Sequence, residues 1–376
     1  MKAITNAKLI IGTEIIEGLT LLLDEKIRAV DRHVNIDGAS IIDAQGCFVS
    51  PGFIDLHIHG SGGADVMDAT HEALETISQT LLQTGTTAFL ATTMTMSRER
   101  IDAALENIRE YSAGVSGAQI IGVHMEGPFI NPLRHGAQDV KYVAKPVLEA
   151  VEPHTDIVKM ITLAPEVEGG ELFVKLLTEH FPHIILSIGH SEANYHETKE
   201  SFGWGISHAT HLFNAMPPYH HRDPGLVGAV LESDVTCDVI ADLLHLHPAV
   251  LRLVHRMKED KLILITDAMR AGCMKCGTYE LGGQEVLVKD GKATLQDGTL
   301  AGSVLKMNEA LRHMVDHTAM SLPQAVFSVT EAPSKKLRLN KGCLKEGYDA
   351  DIVIFDEDFS IISTIVAGEV KYQRRM

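Results

Sequence analysis

Short apolar runs alternate with amphipathic stretches through the middle of this chain, from about residue 51 to residue 340. Eight runs read as strands: GFIDLHIH, TTAFLATTM, QIIGVHME, IVKMITLAP, HIILSIGH, GISHAT, VTCDVIAD and KLILITDA. The patterns between them are helical. Over 71–83, Leu74, Ile77 and Leu81 fall on one face, and a later helix is expected to start at Ser303 as N-cap, with Val304, Met307, Leu311, Met314 and Val315 on its core stripe. Strands alternating with helices predict a parallel sheet with crossover helices. Eight strands is the count of a closed (β/α)8 barrel, an α/β fold.

The two ends have a different character. Residues 1–50 and 341–376 carry β-branched runs broken by Gly and Asp, which predicts one small β domain built from both termini around a barrel at 51–340. Between them, 277–302 reads as a β-hairpin insertion after the last barrel strand, its turns marked by Gly and Asp-Gly.

Composition narrows the function classes. With 45% apolar and 22% charged residues the chain is an ordinary globular one. A net charge of −17, with no cluster of Lys and Arg, excludes nucleic acid as a partner. No run reaches about 18 apolar residues and the N-terminus lacks a signal-peptide pattern, so no membrane partner and a cytoplasmic protein are expected. Five cysteines, an odd number in a large chain, argue against a disulfide framework.

In such a barrel the chemistry sits at the C-terminal strand ends. Reading those ends in order gives His57 and His59, Glu126, His190, His208 and His211, then Asp267. A lone histidine at a strand end is ordinarily a packed side chain. His57 and His59, two apart in a strand, project from the same face, and the series of imidazoles and carboxylates that follows reads as a metal site. Imidazole with carboxylate suits zinc, iron or another divalent first-row ion rather than calcium or magnesium. A carboxylate at the end of an apolar strand, as Asp267 is, is costly to bury without a cation or strong donor beside it. Beyond the strand ends, Asn214, the backbone of Ala215 and the cation Arg222 form a set able to hold a phosphate.

These residues in this order, in the segments PGFIDLHIHG, HMEGPFINPLRHGAQ, SIGHSEANY, SHATHLFNAMPPYHHRDPG, ITDAMRAG and TLAGSVLKMNEALR, resemble the amidohydrolase superfamily of metal-dependent barrels, and within it the N-acetylglucosamine-6-phosphate deacetylase family. The resemblance implies a metal-dependent hydrolase barrel with a small β-sandwich, and hydrolysis of the acetamide of N-acetyl-D-glucosamine 6-phosphate in amino-sugar catabolism, a metal-activated water attacking and Asp267 as acid/base. It implies Glu126, His190 and His211 as ligands of the principal metal (zinc or iron, with manganese, cobalt, nickel and cadmium as alternatives). The retained pair His57 and His59 implies a second metal position, bridged by Glu126. Relatives in the superfamily use a carboxylated lysine on the fourth strand, but here Lys159 stands at that strand's beginning. The resemblance further places Ala137 and Gln138 at the sugar, His245 near the sugar hydroxyls or the phosphate, and Arg222 at the phosphate, sometimes across a subunit boundary, which implies a homodimer. It assigns no ligand role to His208, left as a packed or hydrogen-bonded side chain. Leu243 stands where the family usually has Gly, and Cys273 and Cys276 form a CxxC spacing foreign to it. The galactosamine epimer as substrate, and more distantly a non-catalytic sugar-phosphate-binding protein, are the alternatives. The second would be expected to have lost Asp267 or a ligand, and neither is lost.

Overall fold

Residues 53–265 of the computed structural model, which describes residues 1–374, wind into eight parallel strands in simple chain order. These are β1 (Phe53–Ile58), β2 (Thr86–Thr93), β3 (Gln119–Glu126), β4 (Val158–Leu163), β5 (Ile185–Ile188), β6 (Ile206–Ala209), β7 (Thr236–Ile240) and β8 (Leu262–Ile265). All eight fall inside the runs read as strands. The barrel closes where Ile58 pairs in parallel with Ala268, and where the Asp267 amide donates to the His57 carbonyl at 2.9 Å.

Crossover helices cover the outside: α1 (His71–Leu81), α2 (Arg98–Tyr111), α3 (Gly170–His180), α4 (Tyr195–Trp204), α5 (Gly225–Leu231) and α6 (Pro248–Lys258). Helix α1 shows the logic of these elements. Thr70 caps its N-terminus through Ala73 N–H, and Leu74, Ile77 and Leu81 are buried on the face the periodicity picks out. Between β3 and β4 the crossover is instead a chain of 3₁₀ turns, in a segment punctuated by Pro128, Pro132, Pro146 and Pro153 that cannot sustain an α-helix. After β8 come α7 (Met307–His317), α8 (Leu322–Val329) and α9 (Glu331–Leu337).

Two sequence expectations are corrected here. Helix α7 starts four residues later than Ser303, with Lys306 at its N-cap. The Ser303 hydroxyl instead donates to Thr266 O at 2.5 Å and accepts from Leu305 N–H, tying the chain to the end of β8. The insertion at 277–302 is a three-stranded antiparallel meander, Gly277–Leu281, Gln284–Lys289 and Lys292–Thr294, rather than a single hairpin.

The terminal segments form two sheets packed face to face. One has four strands, from Lys2–Thr5, Thr20–Leu23, Ile27–Asp31 and Ser40–Asp43. The other has six and joins Lys8–Ile11, Glu14–Glu17 and Phe48–Pro51 to Ile352–Phe355, Ile361–Val366 and Glu369–Gln373. Along Ile352–Phe355 the side chains alternate: Ile352 and Ile354 enter the core between these sheets, while Val353 and Phe355 enter the barrel's core. A central strand buried on both faces therefore cements the sandwich to the barrel.

Candidate metal centre and active site

Every ionisable strand-end residue named from the sequence converges on one mouth of the barrel except His208. His57, His59, Glu126, His190, His211 and Asp267 are all buried. Glu126 ends β3 and lies at the centre. Its Oε1 is 3.1 Å from His190 Nε2 and 2.9 Å from His211 Nε2, and those two nitrogens are 3.2 Å apart. On its other side Oε2 is 3.3 Å from His59 Nε2 and Oε1 is 3.5 Å from His57 Nε2, again with 3.2 Å between the two imidazole nitrogens. Two triads of groups able to hold a metal ion, His57–His59–Glu126 and Glu126–His190–His211, thus share one carboxylate. Asp267 faces the first triad, with Oδ1 3.4 Å from His57 Nε2 and 3.2 Å from His59 Nε2.

The chemistry of this donor set fits a divalent cation. His59 Nδ1 lies 3.2 Å from Thr92 O and His190 Nδ1 lies 2.9 Å from Arg134 O. A carbonyl only accepts, so each Nδ1 carries the proton and each Nε2 turns a lone pair inward. Close pairs of imidazole nitrogens beside a carboxylate call for a positive charge between them. The electrostatics agree. Burial works to raise the Glu126 carboxyl, but His57, His190 and His211 together hold it well below the ordinary range. Burial would depress His59, yet Asp267 and Glu126 outweigh it and raise the imidazole well above its usual value: their charge draws a proton to the Nε2 position that a cation would otherwise take. Asp267 is lowered in turn, against burial, by His57 and His59.

Three of these residues sit in the left-handed region: His190 at φ +49°, His211 at +33° and Asp267 at +48°. A non-glycine residue there costs about 1–3 kcal/mol, and such strain persists only where surrounding bonds over-determine it. Here each turn re-aims a side chain from the strand end into the mouth.

A cavity of about 220 Å³ opens above the two triads. Ala137, Gln138, Asn214, Ala215 and His245, all named from the sequence, line it. Gln138 is committed on both ends of its amide: Nε2 donates to Glu126 Oε2 at 2.5 Å and Oε1 accepts from Thr95 N–H at 2.7 Å. It therefore braces Glu126 as well as lining the cavity. His245 is aimed by Asp242, whose Oδ2 lies 2.7 Å from His245 Nδ1. Leu243, two residues before it, has φ +66°, so the backbone takes the shape a glycine would favour while carrying a leucine. Arg222 does not join the cavity of its own chain; it is exposed on the loop between β6 and α5. Lys159, the second residue of β4, points to Asp156 O at 3.4 Å, away from the mouth. His208 is buried against Asp238 and Thr236.

Sequence reasoning missed the roof. Leu281, Thr299, Leu300 and Gly302 of the 277–302 insertion line the cavity, and Gln284 Nε2 donates to Ala137 O at 2.6 Å. The signal available was the Asp-Gly and Gly-Gly turns, which mark a meander but not what it covers. A larger cleft, about 590 Å³, lies at the junction of the small domain and α6, lined by Gly12, His255, Arg256 and Phe327 among others. Among the described residues it holds no triad of metal-ligating groups, so the chemistry belongs to the smaller cavity.

Comparison with known proteins agrees with this geometry. Residues 48–371 match the model of the amidohydrolase family. The chain is 42% identical to N-acetylglucosamine-6-phosphate deacetylase of Lysinibacillus sphaericus, over 93% of this chain and 92% of that one. It is also 33% identical to N-acetylgalactosamine-6-phosphate deacetylase of Escherichia coli O157:H7, over 88% and 89%. The crystal structure of N-acetylglucosamine-6-phosphate deacetylase from Pasteurella multocida superimposes with a TM-score of 0.94 at 31% identity, covering 99% of this chain and all of that one. Fold and similarity across nearly the whole length place the chain in the amidohydrolase family, among its N-acetylglucosamine-6-phosphate deacetylases.

Proposed function

We propose that this chain hydrolyses the acetamide of N-acetyl-D-glucosamine 6-phosphate to D-glucosamine 6-phosphate and acetate. The observation that carries the reading is Glu126 set between two imidazole pairs with Asp267 facing it, under a small roofed cavity, in a chain so similar to enzymes of that name.

Glu126, His190 and His211 are read as the ligands of the principal divalent metal, zinc or iron, and His57 and His59 with Glu126 as a second position. A divalent cation there supplies a bound water whose pKa is brought to about 7 and polarises an amide carbonyl. The chain's own part is proton movement and positioning. Asp267, ionised between His57 and His59, accepts a proton on Oδ1 as water attacks and returns it to the amine nitrogen as the C–N bond breaks. Gln138 and the imidazoles fix Glu126, while Asn214, Ala215, Ala137 and His245 surround the sugar. Arg222, exposed and away from its own cavity, is read as serving the phosphate at the cavity of a second copy, in a homodimer. Free cysteines throughout fit a cytoplasmic setting. Among the described residues no helix is long and apolar enough to cross a membrane.

Acetate release tests the reading. Metal-stripped protein, reloaded with zinc or iron, is expected to act on N-acetylglucosamine 6-phosphate and far more slowly on the unphosphorylated sugar. No release from any acetamido sugar phosphate under either metal would overturn it. The similarity to the Escherichia coli galactosamine enzyme favours the epimer as second substrate, and a higher kcat/KM on it would exchange the two assignments.

A further inference from the structure

The four histidines around Glu126 are held in two different ways. His59 and His190 are anchored through Nδ1 to the carbonyls of Thr92 and Arg134. His57 Nδ1 and His211 Nδ1 are buried and have no partner among the described residues, so these rings are not aimed by their own second nitrogen. Both are instead gripped at the main chain by a buried aspartate. The His57 amide donates to Asp55 Oδ1 at 3.2 Å, and the His211 amide donates to Asp238 Oδ1. Resting on the reading of His211 as a metal ligand, we propose that Asp238, itself oriented by His208, is the positioning residue that aims His211 at the metal.

Several observations converge on this pair. Asp238 is wholly buried on β7, one strand over from the His211 turn. Its side chain takes the His211 amide and its carbonyl takes the next amide, Leu212, at 2.9 Å, so two successive peptide groups of the strained turn end on one residue. The direction of those amides sets the direction of the His211 Cα–Cβ bond at φ +33°, and with Nδ1 unpartnered among the described residues the ring's remaining polar contacts are those of Nε2 with Glu126 and His190 at the site itself. A buried carboxylate needs a donor on each oxygen, and His208 provides the second, with Nε2 2.9 Å from Oδ2. The other side of that ring is fixed by Thr236: with Nε2–H given to Asp238, Nδ1 accepts from the Thr236 hydroxyl 2.6 Å away. This gives the buried strand-end histidine a use that binding a metal does not.

Zinc affinity of the metal-stripped full chain, read by chelator competition, tests the proposal without recourse to turnover. Asp238→Ala removes the acceptor and should weaken zinc by about 10–100-fold, the usual cost of losing a residue that orients a ligand. Asp238→Asn keeps a carbonyl oxygen for the His211 amide and turns an amide nitrogen to His208, which can accept it as the other tautomer. That variant should recover most of the affinity. Wild-type affinity in Asp238→Ala, or Asp238→Asn as weak as Asp238→Ala, overturns the proposal. Should Asp238→Ala fail to fold, His208→Phe leaves the carboxylate in place but unoriented, and is expected to weaken zinc in the same sense. Unchanged affinity there counts against the pair. His211→Asn separates the two readings. If it holds zinc as the wild type does, His211 is no ligand; if it loses zinc while Asp238→Ala keeps it, only the positioning role falls.

Discussion

Asp267 combines features that are individually unfavourable: a buried carboxylate, at φ +48°, beside a second carboxylate in Glu126. The imidazoles of His57 and His59 offset the burial and keep it ionised, the state a proton acceptor needs. Asp267→Asn is isosteric and keeps the backbone turn, whose amide donates to His57 O and whose carbonyl accepts from Ser303 N–H at 2.7 Å. Metal content of that variant, measured on the purified protein, should match the wild type, while kcat for acetate release falls by about 10²–10⁴, the span attributable to one general acid–base group. Near wild-type kcat would remove Asp267 from the mechanism. The residues of this centre were legible because each ends an apolar run, where a polar side chain stands out. Asp238 was not: it lies inside VTCDVIAD, and its partner amide is 27 residues away.

Elements show the same division. All eight barrel strands were legible, since a strand buried on both faces reads as a nearly continuous apolar run. The start of α7 was misplaced because a serine before an apolar stripe signals an N-cap, and nothing local reveals that Ser303 is claimed by Thr266. The roof was invisible for a related reason: Gln284 meets Ala137 across 147 residues. That single contact ties the meander to the cavity wall, so Gln284→Ala should raise KM severalfold, leave kcat within about twofold and leave metal binding intact. A fall in kcat with KM unchanged would show instead that the roof acts on the chemical step. At the opposite end of the barrel, α9 sends Lys336 to the start of β6, where its Nζ donates to Ser207 O at 2.7 Å. Burial lowers this amine from 10.5 to about 8. The folded chain therefore gives up that proton first, and between about pH 8 and 10.5 the unfolded chain binds more protons, so stability rises with pH across that window. At 1.36 kcal/mol per unit the gain is roughly 3 kcal/mol in full. Urea denaturation at pH 7 and pH 10 should show wild type gaining about 2–3 kcal/mol relative to Lys336→Met. A parallel response of the two proteins would mean that the amine is not buried as a charge.

Over the whole molecule, the arrangement depends on two chain ends returning to one sandwich and on that sandwich staying fixed to the barrel. Apolar packing through the shared six-stranded sheet supplies most of the attachment, and it is non-directional. Orientation needs something more specific, and Lys341 provides it at the junction. Its Nζ is 2.6 Å from Asp351 Oδ2, 2.9 Å from Asp349 Oδ2 and 2.6 Å from Gln119 Oε1 at the base of β3, the strand that carries Glu126. Asp351 Oδ1 in turn accepts from Ala367 N–H at 2.8 Å. The two side chains of the closest pair are 9% and 3% exposed, so the desolvation cost is large and the pair's net contribution is small. Removing one partner is a different matter. Lys341→Met leaves Asp351 buried without its cation and is expected to cost about 3–5 kcal/mol in urea denaturation at neutral pH, whereas adding Asp351→Leu should restore part of that loss, the Ala367 N–H being left without its acceptor. If the pair instead contributed stability outright, the double variant would be no better than the single one. Metal affinity then distinguishes orientation from stability: were the pair there to hold β3 in register, the restored double variant would fold yet bind metal more weakly, because Glu126 ends the strand that Gln119 begins.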